Sequence, residues 1–198
     1  LAKSASGSAQ IRILEAPVDQ EEPETYRARI ISFQSDGKNV SGRITYPPEP
    51  GTYPLVFMIR GYVDQSIYYT GIGSERAANY LAERGYVTLS PDFLGYGASD
   101  PGSADGLEDR FQTYTTMIDL MREADTLDAT FAQAELADYF VDQSKRAIWA
   151  HSNGGQIALT VLAATRWTYP TVLWAPVTKP FPYNVLYYSD EAADEGKA

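Results

Sequence analysis

Apolar and polar residues alternate along "YRARIISFQSD" (residues 26–36) and again along "NVSGRITYPPE" (39–49), with "SDGKN" between them. A period of two on either side of an Asp-Gly pair predicts two strands joined by a tight hairpin. The Pro-rich "PPEPGTYP" breaks the chain before "LVFMIR" (55–60), an unbroken apolar run of the kind a strand buried on both faces needs. The period then changes. "SERAANYLAERG" (74–85) places Ala77, Tyr80 and Leu81 at helical spacing, with Ser74 as N-cap and Gly85 as the stop. Another buried strand, "YVTLS" (86–90), leads into the loop "PDFLGYGASDPGS". A long helical region follows from about Leu107 to Tyr139, with Met117, Leu120, Met121 and Ala124 on its apolar face. "RAIWA" (146–150) reads as a further strand, "GGQIALTVLAATR" (154–166) as a helix and "TVLWAP" (171–176) as the next strand. Strand and helix alternating after an opening hairpin predict an α/β fold, a mostly parallel sheet with helices on both faces.

Length and composition narrow the classes. The 198 residues suffice for one domain with a substantial core, and 44% hydrophobic with 21% charged residues is a globular balance. A formal net charge of −10 opposes nucleic acid and anionic lipid surfaces, and no basic patch offsets it. With no cysteine there is no disulfide, thiolate metal site or Cys nucleophile. No run reaches the roughly eighteen apolar residues of a membrane span. "LAKSASGSAQ" has no signal-peptide core and begins with Leu, which predicts a piece of something longer. The compartment stays open between cytoplasm and export with a leader already removed. The expected organisation is a flexible tail over 1–24, its first ten or so residues the most mobile, a core over 25–179 and the start of a lid or linker over 180–198.

The candidate chemistry sits in "AHSNG" (150–154), between a strand and a helix. There a G-x-S-x-G pattern forms a nucleophile elbow, a tight turn with small flanking residues that lifts a serine hydroxyl clear of the sheet. Ala150 stands at the first glycine position, at the cost of one methyl group. Ser152 is the candidate nucleophile.

With this motif in place, the chain resembles the α/β-hydrolase family, in particular the branch near dienelactone hydrolases and prolyl-oligopeptidase-like serine peptidases. The resemblance runs from about Tyr26 to the C-terminus and rests on "GRITYPPEPGTYPLVFMIRGY", "LAERGYVTLSPDFLGYGASD", "AHSNGGQIAL" and "VLWAPVTKPF". It implies a serine hydrolase that attacks an ester or peptide carbonyl through a Ser-His-Asp triad, without a cofactor or metal. It also implies that the backbone N–H groups of Asn153 and, from the loop "RGYVD", Tyr62 form the oxyanion hole, each donor contributing about 3 kcal/mol. The branch carries His-Gly where this chain has Arg60-Gly61; Arg60 either pairs with a carboxylate at the mouth or extends to water, the second being favoured.

The triad is incomplete. The one histidine, His151, adjoins Ser152 and points elsewhere from a tight turn, so it is expected to pack beneath the elbow rather than serve as base. The family's acid and histidine follow strands beyond "TVLWAP", and the earlier acids read otherwise: Asp92 as a loop cap, Asp119 as a solvated or helix-pairing carboxylate. An apolar edge strand also needs a neighbour. Both considerations predict a C-terminal segment, in a second chain after cleavage within "YYSDEAADEGKA" or absent through truncation, that supplies His and Asp. The alternatives are a non-catalytic binding protein on the same fold and, with little support, a metal or nucleotide enzyme: "GYGASDPG" lacks a P-loop lysine. Tyr62, Tyr68, Tyr69 and "FPYNVLYY" either line an apolar acyl pocket or serve core and lid packing.

Overall fold

A computed structural model describes residues 11–17 and 24–178. The hairpin is built as its turn residues dictate: β2 (Arg27–Ser35) and β3 (Lys38–Tyr46) pair antiparallel in unbroken register down to Ser35 opposite Lys38. Asp36 and Gly37 close the loop at φ of 50° and 75°, the double left-handed geometry that keeps the strand twist continuous. Along β2, Ile31, Phe33 and Ser35 alternate inward, as their spacing predicts.

The apolar runs become central strands. β4 (Gly51–Ile59) is buried from Leu55 onward and β5 (Val87–Pro91) throughout. The seven-stranded sheet has the order β1-β2-β3-β5-β4-β6-β7, completed by β1 (Arg12–Pro17), β6 (Tyr139–His151) and β7 (Thr171–Trp174). Strands β2, β5, β4, β6 and β7 run in one direction and β1 and β3 against it. The carboxyl ends of β4, β5 and β6 therefore meet at one edge of the sheet, the place where open α/β sheets bind ligands.

Helices cover both faces. On one, α1 (Glu75–Ala82) packs Ala78 against Val56 and Met58. On the other, α2 (Gly106–Glu123), α3 (Leu127–Gln133) and α4 (Asn153–Thr165) bury Met117, Leu120, Phe131, Ile157 and Val161 with Phe57, Ile59, Ile148 and Ala150. Among the described residues no helix is long and apolar enough to cross a membrane.

Four expectations are corrected. Within the predicted 1–24 tail, Arg12–Pro17 forms β1 against β2, with Ile11 fully buried and its carbonyl accepting from the Thr130 hydroxyl at 2.9 Å. The predicted helical region from 107 to 139 is two helices joined by a 3-10 turn at Ala124–Thr126, and Tyr139 already lies in β6. The polar "DQSKR" is a bulge within that strand: Pro54 pairs with Asp142 and Leu55 with Arg146, and the Asp142 carboxylate turns the chain by accepting from the Ser144 N–H and hydroxyl. Ser74 precedes α1 but its hydroxyl donates to the Gly71 carbonyl instead of capping the helix. The buried face of α1 is Ala78 and Ala82, whereas Tyr80 is exposed beneath the Arg84 guanidinium, 3.4 Å from its ring centre. The helix stop at Gly85, φ 83°, is as predicted. The segments expected to be most mobile (1–10) and to begin a lid (180–198) lie outside the described residues.

Candidate active site

Ser152 is the single residue between the end of β6 at His151 and the first residue of α4, at φ 51° and ψ −121°. A non-glycine residue there is strained by about 1–3 kcal/mol and persists only where its surroundings hold it. They do so on one side through β7: the Ser152 N–H donates to the Trp174 carbonyl at 3.0 Å, and the Ser152 carbonyl accepts from Val177 at 2.8 Å. Close approach does the rest. A β-carbon on Gly154 would lie 2.1 Å from the Ile59 carbonyl, so only glycine lets α4 start against the end of β4.

The loop after β4 then crosses the serine. Gly61 packs directly on it, and Tyr62 follows with its side chain 73% exposed. Neither the Tyr62 nor the Asn153 backbone N–H has an acceptor among the described residues. Ser152, Asn153 and Tyr62 all line one cavity of about 550 Å³, with Phe93, Leu94 and Ile157 on its apolar side and Asp109 and Arg110 of α2 on its polar side. Burial raises the Asp109 carboxyl above its ordinary range, against the opposing charges of Lys38 and Arg110.

Arg60 does not extend to water. It is 6% exposed, donating to the Gly61 and Asp92 carbonyls at 2.9 and 2.7 Å and to the Tyr68 hydroxyl at 3.2 Å. Its guanidinium lies 4.7 and 4.2 Å from the ring centres of Tyr68 and Tyr96. Asp92, fully buried, holds the same loop from the other side. Its carboxylate accepts from the hydroxyls of Ser41, Tyr68 and Thr70 and from the Gly71 N–H at 2.6 to 3.1 Å. Burial, and after it the Asp92 charge, pushes the Tyr68 phenol far above its ordinary range, which keeps it a donor. The cap expected of Asp92 is thus a four-donor anchor between β3, β5 and the loop bearing Tyr62. Asp119 lies away from the cavity and accepts from Ser35 at 2.8 Å.

His151 follows strand alternation onto the α1 face of the sheet. Its ring is 4.8 Å from that of Trp174 and 6.2 Å from that of Trp149, and no hydrogen bond joins it to the Ser152 hydroxyl. Of the tyrosines expected near the acyl group, Tyr62 lines the cavity, Tyr68 serves the Arg60–Asp92 anchor, and Tyr69 bonds Glu75 at 2.7 Å. "FPYNVLYY" lies outside the described residues. Sequence reasoning missed Arg110. It donates to Asn153 Oδ1 at 2.5 Å and to the Gln156 side-chain oxygen Oε1, and its only local signal is Tyr114 four residues on, which accepts at 3.2 Å.

No protein-family model matches the chain, and no curated protein matches it in sequence. Solved structures do. It is similar to the α/β hydrolase GrgF from Penicillium sp. sh18, at 21% identity and a TM-score of 0.55 over 75% of this chain and 46% of that one. It is similar to a cold-adapted esterase from an Arctic intertidal metagenomic library, at 18% identity and a TM-score of 0.55 over 81% of this chain and 64% of that one. A third likeness is to the acetyl xylan esterase from Paenibacillus sp. R4, at 19% identity and a TM-score of 0.54 over 77% and 49%. The chain thus spans about half to two thirds of the length of these structures. Sheet order, elbow and likenesses agree: this chain carries the α/β-hydrolase fold.

Proposed function

We propose that this chain is the nucleophile-bearing part of a serine hydrolase that cleaves small-molecule esters by acyl transfer through Ser152. The observation that carries the reading is the strained Ser152 backbone, with the Gly61 loop packed on the nucleophile and two N–H groups without acceptors beside it. In the proposed reaction the Ser152 Oγ attacks the carbonyl carbon and passes its proton to a base. The N–H groups of Asn153 and Tyr62 receive the oxyanion. The tetrahedral intermediate collapses, the alcohol leaves with that proton, and water then releases the acid from the serine ester.

The base and its orienting acid come from polypeptide outside these residues. Two observations support this. The one histidine lies against Trp174 without reaching the serine hydroxyl. Among the described residues strand β7 pairs only with β6, and it leaves Val172 and Trp174 61% and 60% exposed on one face, an unpaired edge and an apolar surface that further polypeptide would cover. The esterases among the similar structures favour an ester over a peptide substrate, and the resemblance of "LAERGYVTLSPDFLGYGASD" to the prolyl-oligopeptidase-like branch leaves the peptide as the second reading.

The test is fluorophosphonate labelling and p-nitrophenyl acetate hydrolysis by the full-length protein, with the labelled peptide mapped. The expected label is on Ser152. Ser152→Ala loses the label and at least about a thousandfold in turnover, with stability within about 0.5 kcal/mol, since among the described residues its hydroxyl has no hydrogen-bond partner. Wild-type turnover in Ser152→Ala overturns the reading.

A further inference from the structure

Ser152 is pinned through its own backbone by β7, but the next residue is held from the opposite direction. Asn153 is the first residue of α4, and its N–H is one of the orphan donors of a helix start. A donor stabilises an oxyanion only at about 2.7–3.1 Å and with the right aim, so the tilt of that first turn matters. The tilt is fixed from α2. Arg110, 7% exposed, donates one guanidinium nitrogen to Asn153 Oδ1 at 2.5 Å and to Gln156 Oε1, and its Nε donates to the Tyr114 hydroxyl at 3.2 Å. Gln156 closes the circuit by donating to the Tyr114 hydroxyl at 2.7 Å and to Thr160 Oγ1 at 2.9 Å.

The side chains at the first and fourth positions of α4 are therefore joined by one planar cation on another helix. The two N–H bonds of that nitrogen lie in the guanidinium plane at a fixed angle, and Nε is tied to Tyr114 in the same plane, so joining the two acceptors also fixes their separation and orientation. A lysine, as a point charge, does not. Arg110 also lines the cavity that Ser152 and Asn153 line, so the network it ties together borders the candidate site itself. Holding an oxyanion donor pays off in the transition state rather than in substrate binding.

On the reading of Ser152 as nucleophile, we infer that Arg110 is a positioning residue of the reaction, holding Asn153 so that its backbone N–H meets the oxyanion. Its loss lowers kcat, leaves KM nearly unchanged and acts through Asn153.

The experiment uses full-length protein as wild type, Arg110→Met, Arg110→Lys, Asn153→Ala, the Met/Ala double variant and Ser152→Ala. It measures kcat and KM for p-nitrophenyl acetate, inhibition by phenylboronic acid, which adds to a serine hydroxyl as a tetrahedral anion, and folding by circular dichroism. Arg110→Met is expected to lower kcat at least about tenfold with KM within about twofold, and to weaken boronate inhibition by the same factor. Arg110→Lys is expected to fall between the two. Asn153→Ala is expected to lose a similar factor, and the double variant no more than the larger single loss. Multiplying losses in the double variant, a raised KM with unchanged kcat, or lowered stability with full kcat overturns the assignment. If Arg110→Met does not fold, Asn153→Ala, which leaves Arg110 bound to Gln156 and Tyr114, decides alone: unchanged kcat overturns it. Wild-type turnover in Ser152→Ala removes the nucleophile reading and this role together. An inactive Ser152→Ala beside an unaffected Arg110→Met removes this role alone.

Discussion

A β-carbon placed on Gly61 would stand 2.9 Å from the β-carbon of Ser152 and 3.2 Å from Nδ1 of His151. That separation is shorter than two carbons tolerate, and both neighbours belong to a backbone already held by β7. The loop with Tyr62 must move away, taking its N–H from Ser152. Gly61→Ala is accordingly expected to cost about 1–3 kcal/mol of stability and on the order of a hundredfold in kcat/KM, the scale of a misplacement near 1 Å. Ester kinetics beside thermal unfolding check it. Wild-type kcat/KM in a folded Gly61→Ala protein would show that this contact does not set the loop.

Asp92 holds the same loop from beneath. Its two carboxylate oxygens accept four hydrogen bonds in a site closed to water. In Asp92→Asn one oxygen becomes an NH₂ group, which faces donors and leaves some of them unpaired. The expected loss is about 2–4 kcal/mol, because breaking one partner of a buried charged network leaves the others desolvated. Amide hydrogen exchange should quicken from Tyr62 to Gly73 before it quickens in β4. Uniform quickening of both would mean that Asp92 holds the whole sheet and not the loop.

The chain showed only parts of these relationships, the small-residue turn around Ser152 and Asp92 as a loop cap, and neither the Gly61 contact nor the four donors, for reasons that recur through the molecule. Asp36-Gly37 names its turn because both residues take a positive φ that few others tolerate. Strands β4 and β5 show as apolar runs because both of their faces are covered. "AHSNG" was readable for the same local reason: the elbow needs small residues around one serine. Arg60 was misread because a charge at a strand end normally reaches water, and the rings that bury it, Tyr68 and Tyr96, lie 8 and 36 residues further along. Arg110 was missed because its partner Asn153 is 43 residues away. Strand β1 was hidden in a predicted tail since its pairing with β2 and its cover by Thr130 are both non-local. Local chemistry shows in sequence, whereas partners chosen by the fold do not.

Burial also sets a pH dependence remote from the site. Asp119, half-buried on α2, has its carboxyl raised above the reference 3.8 chiefly by desolvation, against the Ser35 hydrogen bond and the Arg122 charge, while the Asp36 charge adds to the rise and the Asp36 backbone N–H opposes it. The folded state therefore holds this proton more tightly than the unfolded state does. Its contribution to stability is fully present below pH 3.8 and is lost as pH rises through the higher folded value. Asp119→Asn keeps an oxygen to accept from Ser35 and removes the buried charge. It is expected to raise the Tm at pH 7, the gain shrinking toward zero as the pH falls below the unfolded carboxyl value. Unfolding scans of both proteins between pH 3 and pH 8 check this. A gain that grows toward acid pH would reverse the sign and refute the desolvation argument.

The remaining prediction concerns the histidine beside Ser152. His151 makes ring contacts with Trp149 and Trp174 and donates nothing to Ser152, so what it contributes is a flat ring packed against two indoles that also touch each other. Phenylalanine supplies such a ring and has no proton to exchange. His151→Phe in the full-length protein is therefore expected to retain turnover within about threefold and stability within about 1.5 kcal/mol, the usual range for swaps that conserve volume. His151→Ala removes both ring contacts, at about 0.5–1.5 kcal/mol for each aromatic pair, and unseats Trp174, whose carbonyl holds the Ser152 N–H. Its activity should fall modestly and together with its stability, so the two variants separate packing from proton transfer. Turnover is measured with p-nitrophenyl acetate across pH 5 to 9, alongside thermal unfolding. If His151→Phe keeps its stability but is as inactive as Ser152→Ala, then His151 is the base, and the histidine need not come from anywhere else.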